Sequence, residues 1–424
     1  MRIVSNRCAP VFAGILSGLL LNRHVQAQSV LPSAPESATT PAALLSAEND
    51  EMDVFATSVA QTESEPFRLG SITLRPHPYY QFTYESGILV TTNQPVDTTV
   101  QQISPGFLID VGSHLTLDYT PTWTLYSNKN FKNTFDNAVK LTWGGAYNNW
   151  VFGASQSYAA SSAPTVQTGT QTSQENYLTT ASASYNFNSK MSVDLGANQN
   201  FTFVGNSSTS TNSIQDLENF REWSTLDWLN YQFWPRLSVA AGIGLGYDDV
   251  QSSPDMLFEQ YQGRVQWRAT DKISFQLHGG VEDRQFLSGG ESDLISPVFD
   301  GTIQYQPFEV TKLSLTAQRS VSPSFFQNQT TENTSFNGDL NQRLLENFYL
   351  DLNGGYQITK YTAAASGVAV NREDDYYFLN AKLSCTFLKR GTIAVFCQLG
   401  DNSSSASGYG FESRQFGVQI GYSY

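Results

Sequence analysis

Charged side chains are scarce in this sequence. Asp, Glu, Lys and Arg make up 15% of the 424 residues, whereas about a quarter is usual in soluble domains. Long apolar runs are also missing. After residue 27 no stretch holds the roughly 18 apolar residues that a membrane-spanning helix needs. The composition therefore argues against both an ordinary soluble protein and a helical membrane protein.

Basic residues are fewer than acidic ones. The chain has 24 Lys and Arg against 38 Asp and Glu, which gives a formal net charge of -14. Proteins that bind nucleic acid need a basic surface to neutralise phosphates. The charge balance therefore excludes a nucleic-acid partner.

Residues 1–27 have the features of a secretory signal peptide. Arg2 and Arg7 precede a short apolar stretch at 8–21, and residues 25–27 form a small-x-small cleavage site. An uncleaved N-terminal membrane anchor is the alternative. Cleavage would remove three Arg and no acid, which takes the formal charge from -14 to about -17.

Residues 28–66 differ in composition from the rest of the chain. They are rich in Ala, Ser, Thr and Pro, and they carry no Lys or Arg and these acids: Glu36, Glu48, Asp50, Glu51, Asp53, Glu63 and Glu65. Such a composition is typical of disorder. We expect an acidic periplasmic linker, or a short plug.

Aromatic and small neutral polar residues are abundant from residue 67 onward. Aromatics make up 13% of the chain, with 27 Phe and 21 Tyr. From about residue 72, segments of about 10 to 13 residues alternate apolar with polar, which is the period of a β-strand. In the third segment Leu115, Leu117 and Tyr119 alternate with Thr116 and Asp118. One face of each strand is therefore predicted to contact lipid and the other water.

Short turns and longer polar loops alternate between these segments, as in bacterial barrels. Counting them predicts about 18 strands, with 16 as the alternative, and both ends of the barrel chain in the periplasm. The predicted fold class is all-β: a transmembrane antiparallel up-and-down β-barrel over residues 67–424. A soluble propeller or sandwich is the rival fold, but its strands are usually shorter.

The last strand ends in aromatic and branched residues. Val418, Ile420, Tyr422 and Tyr424 fit the C-terminal signal that the barrel-assembly machinery recognises, although Gln419 stands where glycine is common. Two cysteines of the predicted mature chain, Cys385 and Cys397, flank one turn. They could form a disulfide, but two small apolar residues facing lipid is the favoured interpretation.

Loose motifs give a family resemblance. Residues 70–84, 103–110 and 117–121, followed by Asp136 before an apolar strand, resemble the outer-membrane β-barrel porin type 2 family, whose members often accompany exopolysaccharide or exosortase-type systems. The resemblance implies an outer-membrane channel and brings no shared catalytic residues or cofactor.

The sequence offers no pattern for catalysis or metal binding. His77, His114 and His278 lie outside any nucleophile or metal motif, and alternation places His77 and His278 on the hydrated face. The run of glycines at 242, 244 and 246 has strand spacing without a following helix, which argues against a nucleotide loop. We expect no enzyme and no cofactor.

Charged residues on the predicted inward face are candidate pore-lining groups. They are Asp110, Asp118, Asp136, Lys140 and Asp194 in the first half of the barrel, and Arg264, Arg268, Arg284, Arg343 and Lys382 in the second, where acids are interspersed. One hypothesis is a transverse field between an acidic and a more basic arc, because such arcs set pore selectivity. The alternative is that these charges only solvate the wall.

Inward amides and aromatic rings indicate a surface that tolerates sugars. They are Tyr79, Gln81, Gln260, Gln262, Gln266, Gln276, Gln304 and Tyr376. Loops 160–175 and 204–219 are the candidates for a constriction. The sequence therefore favours a passive channel for hydrophilic solutes or polysaccharide, with outer-membrane lipid and the assembly machinery as partners. A non-conducting structural or adhesive barrel is the alternative.

Overall fold

The computed structural model describes residues 67–88, 96–165, 167–168, 171–205, 217–388 and 390–423. The predicted signal peptide, the acidic segment 28–66 and Tyr424 lie outside these residues. No helix within the described ranges is long and apolar enough to cross a membrane.

The described chain is built from nineteen strands and their connections. The strands are β1 (Phe67–Leu69), β2 (Ile72–Ile88), β3 (Val96–Val111), β4 (Leu115–Tyr126), β5 (Thr134–Tyr147), β6 (Trp150–Ser161), β7 (Gln174–Asn186), β8 (Met191–Val204), β9 (Phe220–Trp234), β10 (Leu237–Val250), β11 (Met256–Arg268), β12 (Ile273–Phe286), β13 (Leu294–Phe308), β14 (Thr311–Pro323), β15 (Gln329–Leu345), β16 (Phe348–Ala363), β17 (Glu373–Phe387), β18 (Gly391–Ser404) and β19 (Phe411–Tyr422).

Strands β2 to β19 form one closed antiparallel barrel. Each strand pairs with the next along the chain, and β19 pairs with β2 to close the ring. Eight connections are short turns at one end, here called the turn end, and nine are loops at the other, the loop end. The prediction of an all-β barrel with 18 strands is confirmed. The short strand β1, which folds back on β2, was not predicted.

The outer face of the barrel is apolar and exposed. On β10, Ile243 and Leu245 are 57% and 52% exposed, while Gly242, Gly244 and Gly246 between them face inward and are buried. The same alternation recurs around the ring. An apolar surface of this extent requires contact with lipid or another protein, because a soluble monomer seldom exposes such an area to water.

Tyrosines whose hydroxyls bond to acidic side chains lie at the loop-end border of this apolar belt. Near the loop end, the Tyr84 hydroxyl donates to Asp97 (3.1 Å) and the Tyr261 hydroxyl donates to Glu259 (2.9 Å). Tyr177 with Glu175 is a third pair of this kind. A ring that faces apolar surroundings and a hydroxyl that faces polar ones are typical of an interface.

Asp227 is a charged residue on the apolar outer face of β9. The alternation of the sequence did not explain an acid here on either face. The β8–β9 ladder is interrupted here, and the Asp227 carboxylate accepts the Gly196 backbone N–H at 3.2 Å. The side chain thus satisfies a donor that the interrupted ladder leaves open, which explains a carboxylate at an apolar position.

The two cysteines lie on the outer face and are not joined. Cys385 is opposite Ile393 and Cys397 is opposite Ala381, and both thiols are free. The favoured interpretation, two small residues on the apolar face, agrees with these positions, and the disulfide alternative is wrong. Val418, Ile420 and Tyr422 also face outward, and the assembly signal assigned to them stays a prediction.

Candidate functional site

The inner wall of the barrel carries the polar half of the alternation. The strand registers place all ten predicted pore-lining residues on this inward face. Arg268 and Arg343 lie at the turn end and are exposed, whereas Arg264 and Arg284 are buried within the barrel. The inward residues therefore occupy different depths rather than one ring.

Arg264 is the centre of one inner cluster. Its Nη2 donates to Asp194 Oδ2 at 2.9 Å, and that carboxylate also accepts from Asn230 (2.8 Å) and Ser184 (2.9 Å). The guanidinium lies 4.5 Å from the centre of the Trp228 ring. Charge-assisted hydrogen bonds and ring stacking together hold this arginine against the wall.

Arg284 is the centre of a second cluster nearer the loop end. It pairs with Asp248 and donates from Nε to Glu282 at 2.8 Å, and the three side chains are 2%, 0% and 2% exposed. Its guanidinium also lies 4.6 Å from the centre of the Phe258 ring. Glu222, directly opposite Asp248 in the ladder, is buried as well. One arginine thus faces three buried carboxylates.

The glycines of β10 make room for both clusters. A Cβ on Gly242 would lie 2.6 Å from the Trp228 ring, and a Cβ on Gly246 would lie 2.0 Å from the Phe258 ring. Both rings therefore lie flat against bare backbone, and each supports an arginine on its other face. This is the structural reason for small residues at every second position of β10.

Most of the remaining inward charges are also paired locally. Arg75 contacts Asp110 at 3.2 Å, His77 contacts Asp118 at 3.2 Å, and Lys382 contacts Asp351 at 3.2 Å. One further pair, Asp194 with Arg264, joins the two predicted arcs directly. The hypothesis of an acidic arc facing a basic arc stays a prediction. The local pairing of most of these charges favours its alternative, in which they only solvate the wall. Asp136 accepts from Thr134 (3.0 Å).

On several strands, burial of the inner wall increases towards the loop end, whereas the inward residues of β3 are buried along nearly its whole length. On β13, Gln304, Thr302 and Asp300 are half-buried, whereas Val298 and Ser296 further up are buried. Strands β2, β10, β12 and β19 show the same change along their inward residues. On these five strands the inner wall is therefore half-buried and mostly polar in its turn half, here called the vestibule, and covered in its loop half.

Loops contribute to the filling from above. The loop between β6 and β7 reaches the opposite side of the ring, where Gln167 Nε2 donates to Ser324 Oγ at 3.1 Å. Arg372, before β17, donates to the Gln167 carbonyl at 3.2 Å. This loop is one of the two predicted constriction candidates. Most of the other, residues 206–216, lies outside the described residues.

Arg372 holds several loops together. Its guanidinium lies 3.6 Å from the centre of the Tyr409 ring and 4.4 Å from that of Tyr361, and it forms a paired hydrogen bond with Asp374. Phe326, from the loop between β14 and β15, lies 5.5 Å away on the same guanidinium. The cluster fixes the loops after β6, β14, β16 and β18 to one another.

Sequence reasoning missed several of these residues. Arg75, Glu222 and Asp248 have inward parity, and Asp248 continues the spacing of the three glycines on β10. Parity could therefore have identified them. Arg372 gave no signal, because it lies in a loop and acts through tertiary contacts. Among the described residues, no group of three or more His, Cys, Asp or Glu could hold a metal ion.

No family model matches the chain, and no curated protein matches it. Solved barrels from Pseudomonas aeruginosa are similar. The outer membrane protein opdK is 11% identical with a TM-score of 0.46, over 83% of this chain and 99% of that one. OpdK with vanillate is 10% identical with a TM-score of 0.45 (83% and 99%), and OccK2 (OpdF) in complex with glucuronate is 10% identical with 0.44 (82% and 98%).

These likenesses are distant. With TM-scores under 0.5 and about a tenth of the residues identical, they carry no argument about what this chain binds or passes. The 18-strand ring is instead established by the pairings of this chain's own strands.

Proposed function

We propose that this chain is an outer-membrane channel for the passage of hydrophilic solutes. The observation that carries the proposal is the contrast between the two faces of one wall: an exposed apolar belt outside and a half-buried polar vestibule inside. A closed barrel satisfies its backbone hydrogen bonds within the wall, so this arrangement is stable in a bilayer. Eighteen strands give a ring wide enough for an aqueous lumen.

The vestibule wall suits neutral polar solutes better than a particular ion. Amides and hydroxyls line it, and its charges are mostly paired with neighbours. Paired charges produce weak fields at a distance, particularly in salt. We therefore expect modest discrimination between small anions and cations.

A structural barrel without conductance is the second candidate. The filled loop half favours it, because inward residues such as Thr83, Asp248 and Gln415 are buried rather than lining an open passage. This candidate and the channel predict different solute fluxes.

Narrower proposals come from the sequence. Membership of the outer-membrane β-barrel porin type 2 family and a link to exopolysaccharide export would fit inward amides and rings such as Gln81, Gln415 and Tyr376. Secretion through a cleaved signal peptide and recognition of the last strand by the barrel-assembly machinery are also proposals. Together these proposals imply that the chain resides in the outer membrane of a Gram-negative bacterium.

Solute flux through reconstituted vesicles tests the main proposal. Vesicles containing the folded mature chain should take up small neutral sugars and small ions faster than vesicles with no protein. A second preparation without residues 28–66 shows whether the acidic segment restricts flux. Folded barrels with no flux above background, in either form, would favour the structural candidate.

A further inference from the structure

Strand β14 leaves its neighbour β13 before either strand ends. Their pairing stops at Phe299 and Arg319, while β13 stays paired with β12 up to Leu294 and β14 stays paired with β15 up to Pro323. Residues 320–332, here called the inner hairpin, therefore separate from the ring. Within the part of the chain that the structure describes, the edge of β13 that faces them has no strand partner beyond Phe299.

The inner hairpin lies inside the barrel, against its wall. Arg284, an inward residue of β12, donates from Nη2 to the Val321 carbonyl at 3.3 Å. Ser296, an inward residue of β13, donates to Glu332 Oε2 at 3.0 Å. By strand parity, Val321 and Glu332 should face outward. They contact the inner wall because the hairpin has folded inward past β13.

Burial supports this placement. Lower on the same two strands, the outward residues Leu315 and Phe336 are 60% and 48% exposed. Within the inner hairpin, residues of the same parity are covered: Val321, Thr330 and Glu332 are 8%, 0% and 7% exposed. The face that points to the surroundings below the separation point is thus covered by protein above it.

The tip of the inner hairpin crosses the mouth. Phe325 packs on an apolar cluster of inward residues, Phe220, Val250 and Met256. Its carbonyl accepts the Glu218 backbone N–H at 2.9 Å. Neighbouring Phe326 turns the other way, onto the Arg372 cluster. Two adjacent rings therefore anchor the tip to different parts of the mouth.

Some polar groups buried in the loop half of the inner wall have no partner in the protein. In the described residues, neither amide atom of Gln415 has a hydrogen-bond partner, and Glu85 Oε2 and Ser413 Oγ also lack one. All three side chains are inward residues of the loop half and are almost fully buried. Burying polar groups without any partner is unfavourable, so these side chains favour a hydrated loop half.

We propose that the inner hairpin is the gate of the channel. In the closed state it fills the loop half of the lumen. In the open state it swings outward and extends its ladder along the free edge of β13, which hydrates the inward polar residues. The inference rests on the proposed channel function and identifies the moving part.

Single-channel recording in planar bilayers tests the gate with four full-length mature proteins: the wild type, Phe325→Ala, Phe336→Ala and a shortened hairpin. In the last, an Asn-Gly turn joins Ser320 to Asn333, which are paired partners, so the turn suits a two-residue hairpin. Phe336→Ala is the matched control, because it removes the same ring from the outer face of β15. Heat-modifiable migration verifies that each protein is folded.

If the inner hairpin is the gate, channels of the wild type and of Phe336→Ala should open only briefly. Phe325→Ala should raise the open probability roughly tenfold or more, because a packed aromatic anchor shifts an equilibrium by at least that factor. The shortened hairpin should stay open. Equal open probabilities for Phe325→Ala and Phe336→Ala, or a wild type as open as the shortened form, would overturn the gate and leave the channel intact. Folded barrels that never conduct would overturn both.

Cross-linking provides the opposite perturbation. In a Cys385→Ser, Cys397→Ser background, Ser296→Cys and Glu332→Cys can be joined by a short reducible dithiol reagent. Openings should cease on cross-linking and return on reduction, while either single cysteine is unaffected. Openings that persist in fully cross-linked protein would show that the inner hairpin does not move during gating.

Discussion

Removing the Arg284 guanidinium should destabilise the barrel strongly. Arg284→Met keeps much of the side-chain volume but leaves Asp248 and Glu282, both almost fully buried, without their cation. Glu222 is buried beside them. Breaking a buried ion pair from one side costs roughly 3–5 kcal/mol. We expect a loss of that size in the free energy of unfolding.

The assay is urea unfolding of the folded barrel in lipid vesicles, followed by tryptophan fluorescence. Arg414→Met is the matched control. It breaks an ion pair with Glu412 whose side chains are 60% and 59% exposed, and exposed pairs contribute little. Arg284→Lys should lie between the wild type and Arg284→Met, because it keeps the charge but loses the planar fork that contacts two carboxylates.

A triple variant separates loss of the cation from loss of packing. Asp248→Asn and Glu282→Gln, added to Arg284→Met, remove two of the buried charges and should recover a large part of the stability. If Arg284→Met is no less stable than Arg414→Met, or if the triple variant is less stable than the single one, the account of this network is wrong.

Three further predictions concern single positions. Gly246→Ala should destabilise the barrel, because the new Cβ would lie 2.0 Å from the Phe258 ring and displace it. Gly263→Ala should not, because its Cβ would meet nothing nearer than 4.0 Å. Thermal unfolding of the two variants compares their stability. Asp227→Asn should keep the stability of the wild type, because an amide oxygen still accepts the backbone N–H, while Asp227→Ala should lower it by about 1 kcal/mol; equal values would contradict this. Cys385 and Cys397 should both react with a thiol reagent in the unfolded, unreduced protein. Two thiols fewer than expected would show that they form a disulfide.

Period-two alternation was sufficient to predict the ring and its inner face. Each strand has one face in apolar surroundings, so a slip of one residue would turn its apolar set inward. This constraint explains why the parity of residues as distant as Asp110 and Lys382 could be read from the sequence.

Contacts between strands that are not neighbours could not be predicted in the same way. Asp194 and Arg264 lie on β8 and β11, which are not neighbours, so their pairing depends on the curvature of the ring. Apolar and polar residues alternate poorly in β9, for a related reason. Its inward face carries Phe220, Leu226 and Trp228, because the wall is apolar where the hairpin tip packs and where an arginine stacks.

The inner hairpin could not be predicted from the sequence for a different reason. Its residues alternate as in an ordinary pair of strands, and only the break between Phe299 and Arg319 reveals that it has left the ring. Strand pattern specifies which residues share a face. It does not specify which neighbour that face will meet.

Thiol labelling along β13 tests most directly whether the barrel has a wet interior within lipid. In a background without cysteines, Thr302→Cys faces the vestibule and its neighbour Ile303→Cys faces outward. In open membrane sheets, a small charged maleimide should label Thr302→Cys and leave Ile303→Cys unmodified until detergent is added. Equal labelling of both positions in the membrane, or labelling of Ile303→Cys alone, would contradict a lipid-facing outer wall around a water-accessible lumen.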